Sequence, residues 1–496
     1  MKKDQGITED IITDAPEDII ADQARNIGSK DHQQESQNRI DSRLNLPFEP
    51  LTDIGNAERF YKQFYKIVKY CPEEDSWLVY DDQRWVRDPG KLQYGMAKLV
   101  IDGIREEARK RDDLSVDQKE KLLSHADRSS SKGRIKAMFE LAKWMDGITV
   151  SLSELDADPW LINAMNGTVN LRTGKLQPHR PDDFITKMVS VPYEPKALCP
   201  EFDRFFNEVT GGNQEKAEFI HRSMGYALTG ETDEQCLFVY HGPGANGKST
   251  ITETMREILC DYAMHTTSDS LLHSKSSPIR NDIARLNGAR FVSAVEVGMG
   301  KKLDEALIKQ LTGGDQVTAR FLYNEHFEYK PKFKLFISAN HRPEIRGTDN
   351  GIWRRIHLVP FDVIIKSDQI DKDLPNKLHQ ELPGIFAWMV RGCQEWQSQG
   401  LNPPACIEAA TSEYRAEMDI LSGFIEDKCT CQSSERTPVG NLYEAYKEWS
   451  DHACQETVGK KIFGNLMRQK GFTQSKSDSV RYWNGIKLNP EAATEE

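Results

Sequence analysis

The chain has 496 residues, 38% of them apolar, enough for two to four domains with proper cores. Its 65 Lys and Arg stand against 77 Asp and Glu; the net charge of −12 excludes a surface that is basic everywhere, though a ring or cleft can still gather lysines locally. No apolar run approaches the ~20 residues of a membrane span, the opening Met1-Lys2-Lys3-Asp4 lacks a signal core, and nine scattered cysteines fit a reduced, cytoplasmic protein.

Residues 1–46 are rich in Asp, Glu, Gln, Asn and Ser and read as a disordered acidic tail. An α+β region is expected over 47–195. Asp53 caps a helix carrying Phe60, Tyr61, Phe64 and Val68, and Trp77 to Val86 reads as a hairpin with a polar turn. A charged helix from Met96 to Arg111, a serine-rich loop from Asp127 to Gly133 and a helix from Ile135 to Met145 follow. Trp160 to Leu176 reads as a hairpin turned at Arg172-Thr173-Gly174. Asp156 and Asp158 have the look of a primase metal pair, but nothing nearby completes it, so they are assigned to a solvated loop. Residues 196–235 form a helical bridge.

The most informative stretch runs from Leu237 to Thr250. Leu237 to Tyr240 are apolar or aromatic and read as a buried strand. Gly242, Pro243, Gly244, Ala245, Asn246 and Gly247 then make a tight loop, and Lys248, Ser249 and Thr250 open a helix with Ile251, Met255 and Ile258 on one stripe. This is the G-x-x-x-x-G-K-S phosphate loop in its strand–loop–helix setting. Its backbone N–H groups and helix start attract phosphate oxygens, Lys248 meets the β/γ-phosphates of ATP, and the Ser249 hydroxyl meets Mg2+. A plain glycine-rich turn explains neither the Lys-Ser pair nor its spacing.

Arg290 to Val295 reads as an apolar strand delivering Glu296, a Walker B acid able to order Mg2+ or polarise water. A helix from Leu303 to Leu311, a hairpin-like stretch from Phe321 to Pro331, a strand from Phe333 to Ser338 ending near Asn340, and the block Trp353 to Phe361 complete the region. Gly242–Thr250, Glu296, Leu303–Arg320, Ser338–Pro343 and Trp353–Phe361 together resemble superfamily 3 helicases, more narrowly the phage- and plasmid-encoded primase–helicases. The resemblance implies an AAA+-like P-loop ATPase core over 236–365, assembled as a hexameric ring around single-stranded DNA. It makes Asn340 the polar sensor and Arg355, with Arg354 as alternative, the finger reaching the next subunit's γ-phosphate. It places DNA contacts near the hairpin tip, with Tyr323 and His326 to stack on bases and Arg320, Lys330, Lys332 and Lys334 to meet phosphates. Glu296 is followed by Val297 where many relatives have a second acid, so its division between metal and water stays open.

Beyond Phe361 the pattern is helical. Ile385, Phe386, Trp388, Met389 and Trp396 are expected to pack a lid over 366–417. Thr437-Pro438 signals a helix start, Lys460 to Lys470 a helix, and Ser479 to Leu488 a hairpin turned at Asn484-Gly485. Helices followed by a hairpin suggest a C-terminal winged helix over 418–496, with Lys460, Lys461, Arg468 and Lys470 facing DNA phosphates. Cys429, Cys431, His452 and Cys454 have poor spacing for zinc and read as core. The reading is an α/β protein and an ATP- and Mg2+-dependent DNA helicase of phage or plasmid replication, located in the cytoplasm of a bacterial host. Its partners would be copies of itself, replication proteins and origin duplex. A fused primase, for which no room is seen before residue 47, a small-molecule kinase, which would not need the Asn340 and Arg355 blocks, and a non-enzymatic origin binder are the alternatives.

Overall fold

The protein is described by a computed structural model over residues 49–88, 91–272, 281–295, 301–320, 326–345, 349–366, 368–452, 457–477 and 479–489. The acidic tail, Glu296, Tyr323 and Cys454 lie outside these residues. The described residues divide into two compact units: those up to Asp158 with Asn166–Thr168 and Gln177–Lys187, and the remainder.

In the first unit, helix α1 (Asp53–Phe64) leads into strands β1 (Val68–Cys71), β2 (Ser76–Tyr80) and β3 (Trp85–Arg87), an antiparallel meander. Helices α2 (Lys91–Lys110), α3 (Val116–Ser129) and α4 (Lys132–Ala142) follow. The cap of α1 is Thr52, whose hydroxyl accepts from Gly55 N at 3.1 Å; Asp53 sits one residue inside, paired with Arg134. Phe60, Trp77 and Phe139 meet edge to face at 5.1–6.0 Å and fix the core. The loop expected from Asp127 to Gly133 is nearly all helix. Ser129 is buried because its hydroxyl accepts from Asn56 Nδ2 at 2.9 Å and faces His125 Nε2 at 3.3 Å, so this serine serves a buried polar knot rather than a turn. The Asp156 carboxylate accepts from Thr186 N at 2.8 Å and from its hydroxyl, a structural role.

The Trp160–Leu176 stretch holds three strands rather than one hairpin: β4 (Leu161–Ala164), β5 (Gly167–Asn170) and β6 (Lys175–Gln177). The second unit continues with α5 (Pro200–Val209), α6 (Gln214–Ala227), β7 (Leu237–His241), α7 (Lys248–Leu259), β8 (Ala263–Thr267), α8 (Asn281–Ala284) and β9 (Phe291–Val295). Then come α9 (Glu305–Thr312), the pair β10 (Val317–Arg320) and β11 (His326–Tyr329), β12 (Lys334–Ala339), α10 (Asn350–Trp353) and β13 (Ile356–Pro360). Five strands form one parallel sheet in the order β13-β7-β12-β9-β8. β7, β9 and β12 are almost wholly buried, as expected of a parallel sheet covered on both faces, which is why they read as continuous apolar runs.

Helices α11 (Leu374–Gln380), α12 (Leu382–Gln399) and α13 (Ala405–Met418) follow β13. α12 lies on α6 through paired glycines: a Cβ on Gly225 would be 2.0 Å from Cys393 N, and one on Gly392 would be 2.4 Å from His221 O. The chain ends in α14 (Ile420–Lys428), β14 (Cys429–Pro438), α15 (Val439–His452), α16 (Lys460–Gln469), β15 (Thr473–Ser477) and β16 (Val480–Leu488), with an antiparallel sheet ordered β14-β16-β15.

Two local signals mislead here. Thr437-Pro438 ends a strand: Thr437 pairs with Trp483 and its hydroxyl donates to Ile486 O at 2.8 Å, so α15 starts only at Val439. Asn484-Gly485 lies inside β16, paired on both sides, and the actual turn includes Ser479 at φ +69°. Gly485, at φ +85°, is the single residue of β16 facing the register shift between Cys431 and Arg436, where β14 carries the extra residues. The left-handed backbone at Gly485 breaks the alternation of β16, and Trp483 and Ile486, three residues apart, are both buried.

Gly225→Ala should cost about 1–3 kcal/mol, since backbone must move to admit the methyl. Gly103→Ala in α2, where no atom lies within 4 Å of the new Cβ, should instead gain about 0.5–1 kcal/mol from helix propensity. Urea midpoints of the two variants check the opposite signs.

Candidate functional site

The carboxyl edge of the sheet gathers the candidate residues, as strand polarity in a parallel sheet requires. β7 ends at His241 and the chain turns at Gly242, where a Cβ would stand 2.1 Å from Phe361 O. Gly247 adopts φ +80°, and a Cβ there would meet Val209 at 2.4 Å. Only glycine fits either place. Ala245 is also left-handed at φ +57°, held by Ile365 N donating to its carbonyl at 2.9 Å. Asn246, 3% exposed, donates from Nδ2 to Phe361 O at 3.0 Å and to Pro243 O, tying the loop to the end of β13.

Lys248 opens α7 and is 5% exposed. Its ammonium donates to Gly242 O at 2.7 Å, Asn246 Oδ1 at 2.9 Å, Pro243 O at 3.2 Å and Asn340 Oδ1 at 3.2 Å. All four acceptors are neutral, and burial pulls the Lys248 pKa down. A buried cation with only dipoles around it among the described residues favours an anionic ligand. The first turn of α7 has no side-chain cap, which leaves its N–H groups to the same ligand. Ser249 is exposed beside it and Thr250 half-buried. The donor set of loop, Lys248 and helix start therefore fits a phosphate. Next to it a cavity of about 320 Å³ is lined by Ala245, Gly247 and Thr250, by Arg204, Phe205 and Glu208 of α5, and by Ile365, Gln369, Ile370, Asp371, Lys372, Leu374 and Pro375. Sequence reading missed these last residues, because no local motif marks them.

Asn340 follows β12, which lies between β7 and β9, so it emerges beside the loop. Glu296 directly follows β9 and lies outside the described residues. Among those residues no group of three or more His, Cys, Asp or Glu is arranged to hold a metal ion.

Arg354 and Arg355 stand at the other end of β13. Leu237 N donates to Arg355 O at 2.7 Å, so about five strand residues, roughly 16 Å, separate them from the loop edge. Arg355 is 8% exposed and donates to Gly351 O; Arg354 is exposed and donates to Gln235 Oε1 at 2.8 Å. Neither reaches the loop of its own chain.

β10 and β11 form the expected hairpin, with Arg320 opposite His326 and the first strand starting at Val317. Arg320 is half-buried, Lys330 exposed and Lys332 half-buried. Lys334 is a correction: at 1% exposure it starts β12, donates to the carbonyls of Thr229, Glu231 and Lys332, and lies 4.7 Å over the Tyr226 ring. It is a buried anchor and meets no DNA. In α16, Lys460, Lys461 and Arg468 are exposed, whereas Lys470 is taken by Asp419 at 2.6 Å.

The fold and site define a mixed α/β protein built on a parallel sheet, with a lysine-bearing glycine loop at its carboxyl edge. Residues 57–211 match the family described as D5 N terminal like, and 240–355 match a family of unknown function, DUF5906. "Putative helicase L207/L206" of Acanthamoeba polyphaga mimivirus is 28% identical over 60% of this chain and 34% of its own length. "Putative helicase 022R" of Frog virus 3 is 27% identical over 54% and 29%. "Putative primase C962R" of African swine fever virus (isolate Tick/Malawi/Lil 20-1/1983) is 23% identical over 66% and 37%. The chain thus spans about a third of the length of these curated relatives. The apo NrS-1 C-terminal region superposes with a TM-score of 0.48 at 10% identity, covering 86% of this chain and 98% of that one. Over part of its length the chain is thus similar to the D5 N terminal like family and to viral proteins named putative helicase or putative primase. No helix among the described residues is long and apolar enough to cross a membrane.

Asn246→Ala should destabilise the protein by about 1–3 kcal/mol by stranding the buried Phe361 carbonyl. Ser249→Ala, at an exposed position, should leave stability unchanged. Urea denaturation compares the two.

Proposed function

We propose that the protein is an ATP-dependent DNA helicase acting as a ring oligomer, hexameric by the family's pattern. The observation that carries this reading is the buried Lys248 ammonium, surrounded by neutral oxygens at an uncapped helix start. In this reading 236–365 is an AAA+-like P-loop core, 366–417 its lid and 418–496 a winged helix, following the D5 N-terminal-like region. Gly242 to Thr250 cradle the triphosphate of ATP, and the neighbouring cavity takes the nucleoside. Lys248 leaves its carbonyl acceptors to neutralise the β/γ-phosphates. Ser249 and Glu296 would hold Mg2+, which screens charge as the β–γ bond breaks. Asn340, already bonded to Lys248, orients toward the γ-phosphate and senses its loss.

The arginine serving a neighbouring subunit is assigned to Arg354, which is exposed, while Arg355 fixes the corner before β13. Arg320, Tyr323, His326, Lys330 and Lys332 supply the strand contacts in the channel, and Lys460, Lys461 and Arg468 the contacts of the C-terminal module. The name borne by the African swine fever virus relative supports primer synthesis as a second reading, tested by template-dependent primer formation.

Lys248→Ala should abolish ATP hydrolysis while the protein stays folded; turnover near the wild-type rate contradicts the assignment. Arg354→Ala should lose roughly 10³-fold or more in turnover. Reassembling it with Lys248→Ala subunits should restore part of the activity, because some interfaces then join an intact Lys248 to an intact Arg354. No recovery in rings shown to be mixed argues against a role across the interface.

A further inference from the structure

In this acidic chain, the stretch from Thr457 to Asn489 carries seven Lys and Arg and one acid, Asp478. Lys470 and Lys487 are taken by Asp419 and Glu435. The rest concentrate on α16 and on the β15–β16 hairpin. There Lys476 stands directly opposite Arg481 across the antiparallel ladder. Both are exposed, and neither makes an ion pair among the described residues. Like charges so placed destabilise a hairpin, so folding alone gives no reason for the pair.

Their direction follows from register. Gln474 and Trp483 form the cross-strand pair two residues down the ladder, on the same face. Trp483 is buried against α16, its ring 3.9 Å from the Cβ position of Gly464, with the Arg468 guanidinium 5.8 Å from the ring centroid. Arg468 also donates to Gln474 Oε1 at 3.5 Å. The face that packs on α16 therefore runs outward from Arg468 to Lys476 and Arg481.

Resting on the reading of this module as DNA-binding, we propose that Lys476 and Arg481 clamp the phosphate backbone of duplex DNA whose major groove receives α16. Lys461, Asn465 and Arg468 recur at helical spacing on an exposed face beside Ile462, 52% exposed, and a helix of this kind fits a groove ~12 Å wide. A single strand calls instead for open aromatic platforms. Phe463, Tyr446 and Trp483 are buried, and Tyr482 is half-buried under Arg436 at 4.5 Å.

The test is fluorescence anisotropy of the full chain with a labelled duplex and with one of its strands across a salt series. Each lost phosphate contact should lower the slope of log K against log salt by about 0.9, so K476A/R481A should lower it by about 2 and weaken duplex binding roughly ten-fold. Single-strand affinity and DNA-free ATP hydrolysis should not change. K476R/R481K should behave as wild type, and K487A, on the far side of Gly485, should bind duplex normally. An unchanged slope for K476A/R481A, with duplex binding by the wild type, overturns the hairpin clamp alone. An equal loss on the single strand overturns the duplex assignment. A wild type that binds no duplex overturns the clamp and the DNA-binding reading of the module together.

Discussion

A buried ammonium at the edge of a buried parallel sheet is the constraint on which the rest depends. Lys248 is held by carbonyl and amide oxygens from the loop, from Asn246 and from Asn340, with no carboxylate among them. Such a cation is tolerable only where its hydrogen bonds are satisfied, and it becomes an asset when an anion arrives. Each neighbouring feature serves that placement. Gly242 lets the loop pass against Phe361, Gly247 lets α7 start against α5, and Asn246 locks the loop to β13. Inserting β12 between β7 and β9 brings Asn340 to the ammonium.

β13 carries two sets of candidate residues at its two ends. Its carboxyl end holds the loop through Asn246, and its amino end carries Arg354 and Arg355. Because β13 runs parallel to β7, those arginines are kept about 16 Å from their own loop, by strand rise alone. Under the proposed ring assembly, that separation would leave them to serve a neighbouring subunit. In a chain of net charge −12, one local strip of cations runs along α16 and the last hairpin.

What was legible in the sequence was local chemistry with one structural solution. Leu237 to Thr250 could scarcely fold otherwise, since the apolar run, the glycines and the Lys-Ser pair each demand the same strand, loop and helix. The apolar strands around Val292 and Phe336 were equally plain. The misreadings came where a residue type serves two purposes. Ser129 looked like loop and is buried, Asn484-Gly485 looked like a turn and lies inside β16 opposite a bulge, and Thr437 looked like a helix cap but ends the strand just before α15. Lys334 looked solvated, and only the tertiary fold reveals the carbonyls of Thr229 and Glu231 that receive it. The cavity beside the loop joins Arg204 and Glu208, neighbours on α5, to Lys372 far along the chain, and no spacing rule connects the two stretches.

The most direct test of the central claim is the rate of ATP hydrolysis by the purified full chain, measured with magnesium in the presence and absence of single-stranded DNA. The account predicts turnover that needs magnesium and rises when DNA is added. Absence of hydrolysis, or a rate indifferent to DNA, would contradict it.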